Sequence, residues 1–457
     1  MRLTTFVAGT GALWLVIACG NGFAANSGSL PEPRPLGREL PLAASETPIP
    51  EPTAATVTDE LTLRQALSLA LLHNPDLAAF SWEVRVKEAE ALQAGLLPNP
   101  ELGIEMENFA GGDEFSGTDA AETTVTLSQL VELGGKRGKR RAAAALEANL
   151  AGWDFETRRL DVLTATAKSF IAVLAAQERL VQADELSALA DRFYRTVSER
   201  VEAGKVSPVE QARAQVPLSA ARVAQDRARV ALEAARKELT ALWGNEAPTF
   251  ERAVGTLESI APVPSQEQMV SLLEQSPDVA RWKTEEQQRN ARLALERANG
   301  IPDLTLFAGN RNLQASNDNA FVAGISIPLP LFDRNQGGIA AARAARSKAR
   351  EERRSAYSQA VASLAAGYRD LSAAFVEART LREEILPAAG QSFDAAEFGY
   401  REGKFGFLEV LDAQRTLFEV RGQYLDALTA YHQARAEVER LIGAPLEADI
   451  VNNGQEK

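Results

Sequence analysis

The sequence predicts a mainly α-helical chain with a small β part, built as a duplicated half-molecule. Three observations carry this. Leu71-Leu72-His73-Asn74-Pro75-Asp76-Leu77 returns as Leu272-Leu273-Glu274-Gln275-Ser276-Pro277-Asp278-Val279, and Pro75 and Pro100 find Pro277 and Pro302 at an offset of 202. Further on, Gly204-Lys205, Glu210, Gln215 and Gly244 find Gly403-Lys404, Glu409, Gln414 and Gly443 at an offset of 199. That period is far too long for a solenoid unit. Second, the stretch from Lys139 to Ala203 contains no Pro and one Gly, Gly152. Its residues Leu146, Leu150, Trp153, Thr157, Leu160, Thr164, Ala167, Ile171 and Leu174 step by four and three, a coiled-coil seam. Third, each half carries two short strand-like segments around a polar loop.

The elements come in order. Arg2, an apolar run from Leu3 to Ala18 and then Cys19 read as a secretory signal over residues 1–18. Val16-Ile17-Ala18-Cys19 is similar to the lipobox of bacterial lipoproteins, in which the Cys is acylated. Ordinary cleavage after Ala24 is the alternative. Cys19 is the only cysteine, which excludes disulfides within the chain and thiolate metal clusters. Residues 19–60 form a tether, with seven prolines between 27 and 60 (Pro31, Pro33, Pro35, Pro41, Pro48, Pro50, Pro52) holding it extended.

The first repeat spans 61–244. It opens on a capping box, Thr62-Leu63-Arg64-Gln65, and its first helix breaks at Asn74-Pro75 and ends near Pro98. Gly103–Glu107 and Thr124–Ser128 then form a hairpin about Gly111-Gly112-Asp113. The long helix comes next, about 100 Å at 1.5 Å per residue. A turn at Gly204 leads to a return helix ending at Leu242-Trp243-Gly244. A linker covers 245–264. The second repeat, 265–443, uses Ser265-Gln266-Glu267-Gln268 as its capping box and Ser276-Pro277 as its break. Leu304–Phe307 and Val322–Ile327 flank Ser316-Asn317-Asp318-Asn319. Val361, Leu364, Tyr368, Leu371 and Phe375 repeat the seam, and Gly403 repeats the turn. Pro217 and Pro387 should bend their helices. A tail covers 444–457.

The chain of 457 residues has a net charge of −13, which argues against a nucleic-acid partner. After the N-terminus there is no continuous apolar run of about 18 residues, as a spanning helix requires. Four strands leave two open edges, and a bacterial outer-membrane barrel needs at least about 8 strands. Strands placed in lipid must therefore be pooled, two chains giving 8 and three giving 12.

These residues resemble a family. Leu61-Thr62-Leu63-Arg64-Gln65-Ala66-Leu67 with Asn74-Pro75, the Gly turn before Ala212-Arg213-Ala214-Gln215, and Tyr400-Arg401-Glu402-Gly403 before Val410-Leu411-Asp412-Ala413-Gln414 are similar to the TolC-like outer-membrane efflux proteins. So is the closing Leu-x-Gly of each half. The likeness runs from about Leu61 to Gly443. Val131-Glu132-Leu133-Gly134-Gly135-Lys136-Arg137 resembles the heavy-metal, CzcC-like branch. The resemblance implies a homotrimer whose strands form a shared 12-stranded β-barrel in the outer membrane, continued by an α-helical coiled-coil barrel through the periplasm. It implies docking to a periplasmic adaptor protein and, through it, to a proton-driven inner-membrane pump of the RND type. The chain would be a passive duct, not an enzyme, with no cofactor.

Glu409 and Asp412, at i and i+3, lie on one helical face. In the family an acidic pair here faces the pore at its narrowest point, so three copies would stack carboxylate rings favouring cations. On spacing alone the pair is an ordinary solvated face. The resemblance assigns Tyr400 to the same gate, although Phe405 stands where the best-known member has a basic residue. Gly204, Lys205, Gly403 and Lys404 are the tips, either adaptor-docking points or helix-turn-helix corners. His73 and His432 are the only histidines and make a poor metal site without Cys nearby. Asp113, Glu114 and Asp119 read as extracellular loop charge. Lys136-Arg137-Gly138-Lys139-Arg140-Arg141 should lie at the periplasmic membrane edge, anchoring the barrel or meeting anionic groups.

A periplasmic coiled-coil adaptor or scaffold is the reading from another class. Adaptors bracket one hairpin with β-rich domains, whereas this chain has two hairpins and little other β. Within the duct reading, drug efflux and type I protein secretion stand beside metal export, because the inner-membrane pump selects the substrate.

Overall fold

The computed structural model describes residues 59–446. The sequence-predicted signal peptide, Cys19, nearly all of the Pro-rich tether and the end of the tail lie outside them. The elements run β1 (Glu60–Thr62), α1 (Leu63–His73), α2 (Pro75–Ala94), β2 (Glu101–Glu107), β3 (Glu122–Val131), α3 (Lys136–Glu202), α4 (Pro208–Ala241) and β4 (Arg252–Val254). The second half gives α5 (Gln266–Leu272), α6 (Pro277–Asn299), β5 (Leu304–Leu313), β6 (Asp318–Ser326), α7 (Gln336–Thr380), α8 (Leu386–Arg401) and α9 (Phe407–Ile442).

Both capping boxes form. The Thr62 N–H donates to Gln65 Oε1 at 2.8 Å and the Gln65 N–H to Thr62 Oγ1 at 3.3 Å. Ser265 and Gln268 exchange the same pair at 3.1 and 3.4 Å. The two proline breaks then meet the two closing Leu-x-Gly segments in space. The Asn74 side chain accepts the Leu77 N–H at 2.8 Å, starting α2, and donates to the Leu242 carbonyl at 2.7 Å. In the second half Gly443 backs onto Ser276-Pro277 at φ +70°, where a Cβ would stand 3.3 Å from Pro277 Cδ. Two motifs some 170 residues apart are thus one contact, made once in each repeat.

α3 is the hub. Its 67 residues, about 100 Å long, pack against α1, α2, α4, α6 and α9. This changes the expected seam. Ile171 and Leu174 are buried, but Leu146, Leu150, Trp153, Thr157, Leu160, Thr164 and Ala167 are only half-buried, while Ala143, Ala151, Val162, Thr166, Phe170 and Val173 lie deeper. A helix with neighbours on several sides buries a broad surface, not one stripe. α7 has fewer neighbours and keeps the expected stepping: Leu364 and Leu371 are fully buried, with Val361, Tyr368 and Phe375 packed on them. Among the described residues only α3 holds a stretch apolar enough to cross a membrane, and nearly half of that stretch is buried against its own chain.

The largest core gathers Leu61, Phe170, Leu174, Leu239, Trp243 and Phe250 from the first half with Leu381, Leu425 and Leu428 from the second. A short parallel pair, β1 with β4, closes over it, with Leu61 opposite Ala253 and both buried. The four expected strands make the main sheet, and this short pair, which the sequence did not show, brings the number among the described residues to six. Three-residue strands carry too little alternation to be read from sequence.

The main sheet has the order β2-β3-β5-β6, antiparallel throughout. Its strands run longer than their apolar cores predict, because the register continues through polar ends such as Asn312 opposite Asn319. Register sorts the side chains by face. Leu102, Ile104 and Met106 share one face with Val125, Leu127, Leu306, Phe321, Ala323 and Ile325. Phe321 is 95 % exposed and Ile104 71 %. The opposite face carries Glu101, Glu105, Glu107, Glu122, Thr124, Thr126 and Arg311. Arg311 pairs with Glu122 at 2.9 Å and Glu107 at 3.5 Å. The apolar face belongs in a medium other than water.

One substitution tests the elbow. Asn74→Ala removes the α2 cap and the bond to Leu242, and should cost about 1–2 kcal/mol. Asn74→Asp keeps only the cap acceptor and should lose less, read as midpoints of thermal unfolding.

Candidate functional site

Three places carry the sequence-predicted functional residues: the two hairpin tips, the corner between sheet and α3, and the histidines. The tips are built alike. Gly204 and Gly403 take φ of +68° and +71°. At each, the residue beyond the glycine bonds back to a carbonyl of the last turn, Lys205 to Arg200 at 2.9 Å and Lys404 to Gly399 at 2.7 Å. This is the six-to-one closure that a left-handed glycine allows. Lys205 and Lys404 are exposed. α4 then starts from Ser207, whose hydroxyl accepts the Val209 N–H at 3.3 Å, with Pro208 in its first turn.

The two tips differ in the helices that lead away from them. Glu409 and Asp412 stand exposed on one face of α9, without an ion-pair partner among the described residues, while Val410 and Gln414 between and beyond them are buried. Their counterparts in α4 are Glu210 and Arg213, a pair of opposite charge. At this position after the turn, only the second half places two carboxylates one helical turn apart. Tyr400 is not brought to them. It is 8 % exposed and packs on the inner side, with ring centroids 6.4 Å from Phe193 and 6.3 Å from Phe407. The Arg200 guanidinium lies over its ring at 5.2 Å, and its hydroxyl is buried without a hydrogen-bond partner. The Phe405 ring folds back against Gly399, where a Cβ would come within 2.2 Å of it.

The corner Val131–Arg137 is where strand β3 becomes helix α3, and its polar groups are spent on that turn. Asp303 accepts the Leu133 N–H at 3.0 Å and pairs with the buried Lys136 at 2.7 Å. Gly134, at φ +68°, lets Ile301 approach: a Cβ there would sit 2.6 Å from the Ile301 Cδ1. Arg140 pairs with Glu132, and its Nε donates to the Ala94 carbonyl at 2.8 Å, while Arg137 donates to the Gly95 carbonyl at 2.7 Å. Those carbonyls close α2, where cations are favoured. The sequence alone suggests that the basic run anchors the barrel or meets anionic groups. Lys136, Arg137 and Arg140 tie the end of α2 and the start of β5 to α3. The second half makes the equivalent corner with Asn335, which donates to the Glu296 carbonyl and carboxylate at 2.8 and 2.7 Å. That amide holds the Glu296 carboxyl below the usual carboxylate range.

His432 contacts the Leu257 carbonyl through Nε2 at 2.8 Å. Burial pushes its pKa down. His73 sits in the last turn of α1. Among the described residues no three His, Cys, Asp or Glu side chains converge as metal ligands. Nothing in the sequence singles out Phe193, Arg200 and Phe407. Aromatic residues spaced more than 200 positions apart give no local signal. A stripe of exposed valines along α4, Val209, Val216, Val223 and Val230, is legible as a seven-residue repeat.

With this geometry in place, likeness to known proteins is informative. The chain belongs to the outer membrane efflux protein family, whose profile matches it twice, over residues 66–245 and 269–444. It is 38 % identical to the cobalt-zinc-cadmium resistance protein CzcC of Cupriavidus metallidurans over 292 residues, covering 64 % of this chain and 68 % of that one. It is 29 % identical to the nickel-cobalt-cadmium resistance protein NccC of Alcaligenes xylosoxydans xylosoxydans, covering 66 % and 69 %. In fold it matches a crystal structure of CusC with a TM-score of 0.70 at 19 % identity, over 84 % of this chain and 92 % of that one. The outer membrane is accordingly its place, and the family is one of efflux proteins rather than enzymes.

The histidine gives a pH test. The unfolded imidazole takes a proton near pH 6.5 and the folded one only at lower pH. The His432 contribution to stability is therefore level above about pH 6.5 and falls as the pH drops below it. Between pH 7 and 5, the unfolding midpoint of the native protein should fall further than that of His432→Gln.

Proposed function

We propose that this protein is the outer-membrane duct of a tripartite, proton-driven efflux system that exports heavy-metal cations. The observation that carries the duct is the main sheet, apolar on one face, acidic on the other and open at both edges. Because β2 and β6 run in opposite directions, β6 of one copy can pair antiparallel with β2 of the next. Three copies then close 12 strands, with the apolar face to lipid and Glu101 and Glu105 toward the lumen, and leave no edge in the bilayer. The helices continue this barrel as a tunnel of about 100 Å, set by α3.

The metal assignment is supported by the 38 % identity to a cobalt-zinc-cadmium resistance protein. The tips at Gly204, Lys205, Gly403 and Lys404 dock a periplasmic adaptor, which joins the duct to an inner-membrane RND pump. Glu409 and Asp412 form two stacked carboxylate rings at the entrance. Their charge draws cations, and their exposure keeps the ions hydrated, so passage is fast rather than tight. No bond is made or broken in the cargo, and the chain holds no cofactor.

Two measurements decide this. Deleting the gene should sensitise its host to cobalt, zinc, cadmium or nickel, and sensitivity to drugs alone would reject the metal assignment. In planar bilayers, Glu409→Ala with Asp412→Ala should raise conductance and reduce cation over anion selectivity by several-fold. Unchanged selectivity would remove the pair from the gate.

A further inference from the structure

β6 ends before the apolar surface does. Its last paired residue is Ser326, yet the apolar-face set Phe321, Ala323 and Ile325 runs on in sequence at two-residue steps as Ile327, Leu329 and Leu331. Leu329 is 74 % exposed and Phe332 91 %, and Ile327 and Leu331 are exposed as well. A connection that faces water has no use for four large apolar side chains within six residues.

The height of the main sheet shows where they belong. From Phe321 to Ile325, and from Leu102 to Met106, the apolar face is four steps tall. That is about 13 Å at 3.3 Å per residue, and about 10 Å once the strands tilt as barrel strands do. The apolar band of an outer-membrane barrel is about 25 Å tall. At the β5–β6 hairpin end the face turns polar, with Asn310, Asn312 and Asn319. The missing height can come only from the other end. Continuing from Phe321 to Leu329 gives eight steps, about 26 Å of chain and about 20 Å when tilted.

The backbone of this segment is suited to lipid, where an unpaired N–H or C=O is costly. Pro328 and Pro330 have no N–H to satisfy. The Leu331 N–H turns back to the Leu329 carbonyl at 2.8 Å. Arg334 Nε donates to the Pro330 carbonyl and Gln336 Nε2 to the Phe332 carbonyl, each at 3.1 Å. Asn335, bonded to Glu296, fixes the base. Three carbonyls are thus capped from within, while the apolar side chains stand outward. The first-half corner is built otherwise. There Glu132 pairs with Arg140, and Leu133 is exposed far less than Phe332.

We propose that residues 327–332 form an apolar knuckle that enters the periplasmic leaflet of the outer membrane, one from each copy, and sets the depth at which the barrel rides. Arg334, exposed beside it, stands at headgroup level, where a guanidinium meets lipid phosphate. The occupant of this surface is phospholipid. A neighbouring copy would meet β6 along its edge, through the backbone, whereas Ile327 and Leu329 continue the set that stands perpendicular to the sheet. The knuckle presupposes that the main sheet lines a barrel in lipid, as proposed above.

Spin labels on the full-length trimer test this in vesicles of phosphatidylethanolamine with phosphatidylglycerol. Phe321→Cys, Leu329→Cys, Phe332→Cys and Lys404→Cys each place a label on an exposed residue, and the unsubstituted protein, whose only cysteine is Cys19, is the blank. Accessibility to oxygen, which concentrates in lipid, is compared with accessibility to a water-soluble nickel chelate. The oxygen-to-nickel ratio at 329 and 332 should exceed that at 404 several-fold, with 329 deeper than 332. A high ratio at 321 with ratios at 329 and 332 equal to that at 404 leaves the barrel standing and refutes the knuckle. Labels at 329 and 332 closed to both reagents refute it too, because the neighbouring copy, through its exposed Leu96 and Leu97, then covers the segment. A water-like ratio at 321 refutes the barrel, and the knuckle with it.

Discussion

A four-stranded sheet that is apolar on one face and open at both edges cannot stand alone in any solvent. In water its apolar face draws association, and in lipid each unpaired N–H and C=O at β2 and β6 costs several kcal/mol. The rest of the molecule answers to this constraint. The strands run antiparallel, so the free edges point in opposite directions and can meet on neighbouring copies. The polar face gathers its carboxylates and shares out one guanidinium, Arg311, between two of them. Each hairpin leaves the sheet through a corner that must turn a strand into a helix of great length.

Those corners show how a long helix is kept in register with a sheet. At the first, one carboxylate, Asp303, ties a backbone N–H and a buried ammonium. At the second, Asn335 works through its amide on the end of α6. The two solutions differ in chemistry and agree in placement, as expected when the geometry of a duplicated half is retained while its side chains drift. The elbows tell the same story at the waist. Asn74 uses both ends of its amide, whereas Ser276 donates to Leu273 inside its own turn and leaves the contact to Pro277 and Gly443.

Much of this is legible in the residues. The capping boxes, the prolines and the left-handed glycines are local devices, since each acts on groups within a few positions of itself. They place most helix ends to within a few residues. The seam of α3 is not legible in the same way, because its nine stepping residues describe one stripe, while five helices press on the real one from several sides. The partners of the basic run are not legible, because nothing near it in sequence says that Asp303, 167 positions from Lys136, will be one of them. Tyr400 can be singled out but not placed, since its ring neighbour Phe193 lies on the other repeat.

The sequence by itself determined the duplication, the order of elements, the turns at Gly204 and Gly403, and the one-sided carboxylate pair Glu409/Asp412. These come from periodicity and from the conformational preferences of Gly, Pro and capping side chains, which are short-range. Only the tertiary structure decided which carbonyls the arginines close, which face of the sheet is apolar along all four strands, and that Tyr400 turns inward with its hydroxyl unpaired. Those outcomes depend on which distant segments share a volume. That is set by packing the whole chain, with α3 at its centre.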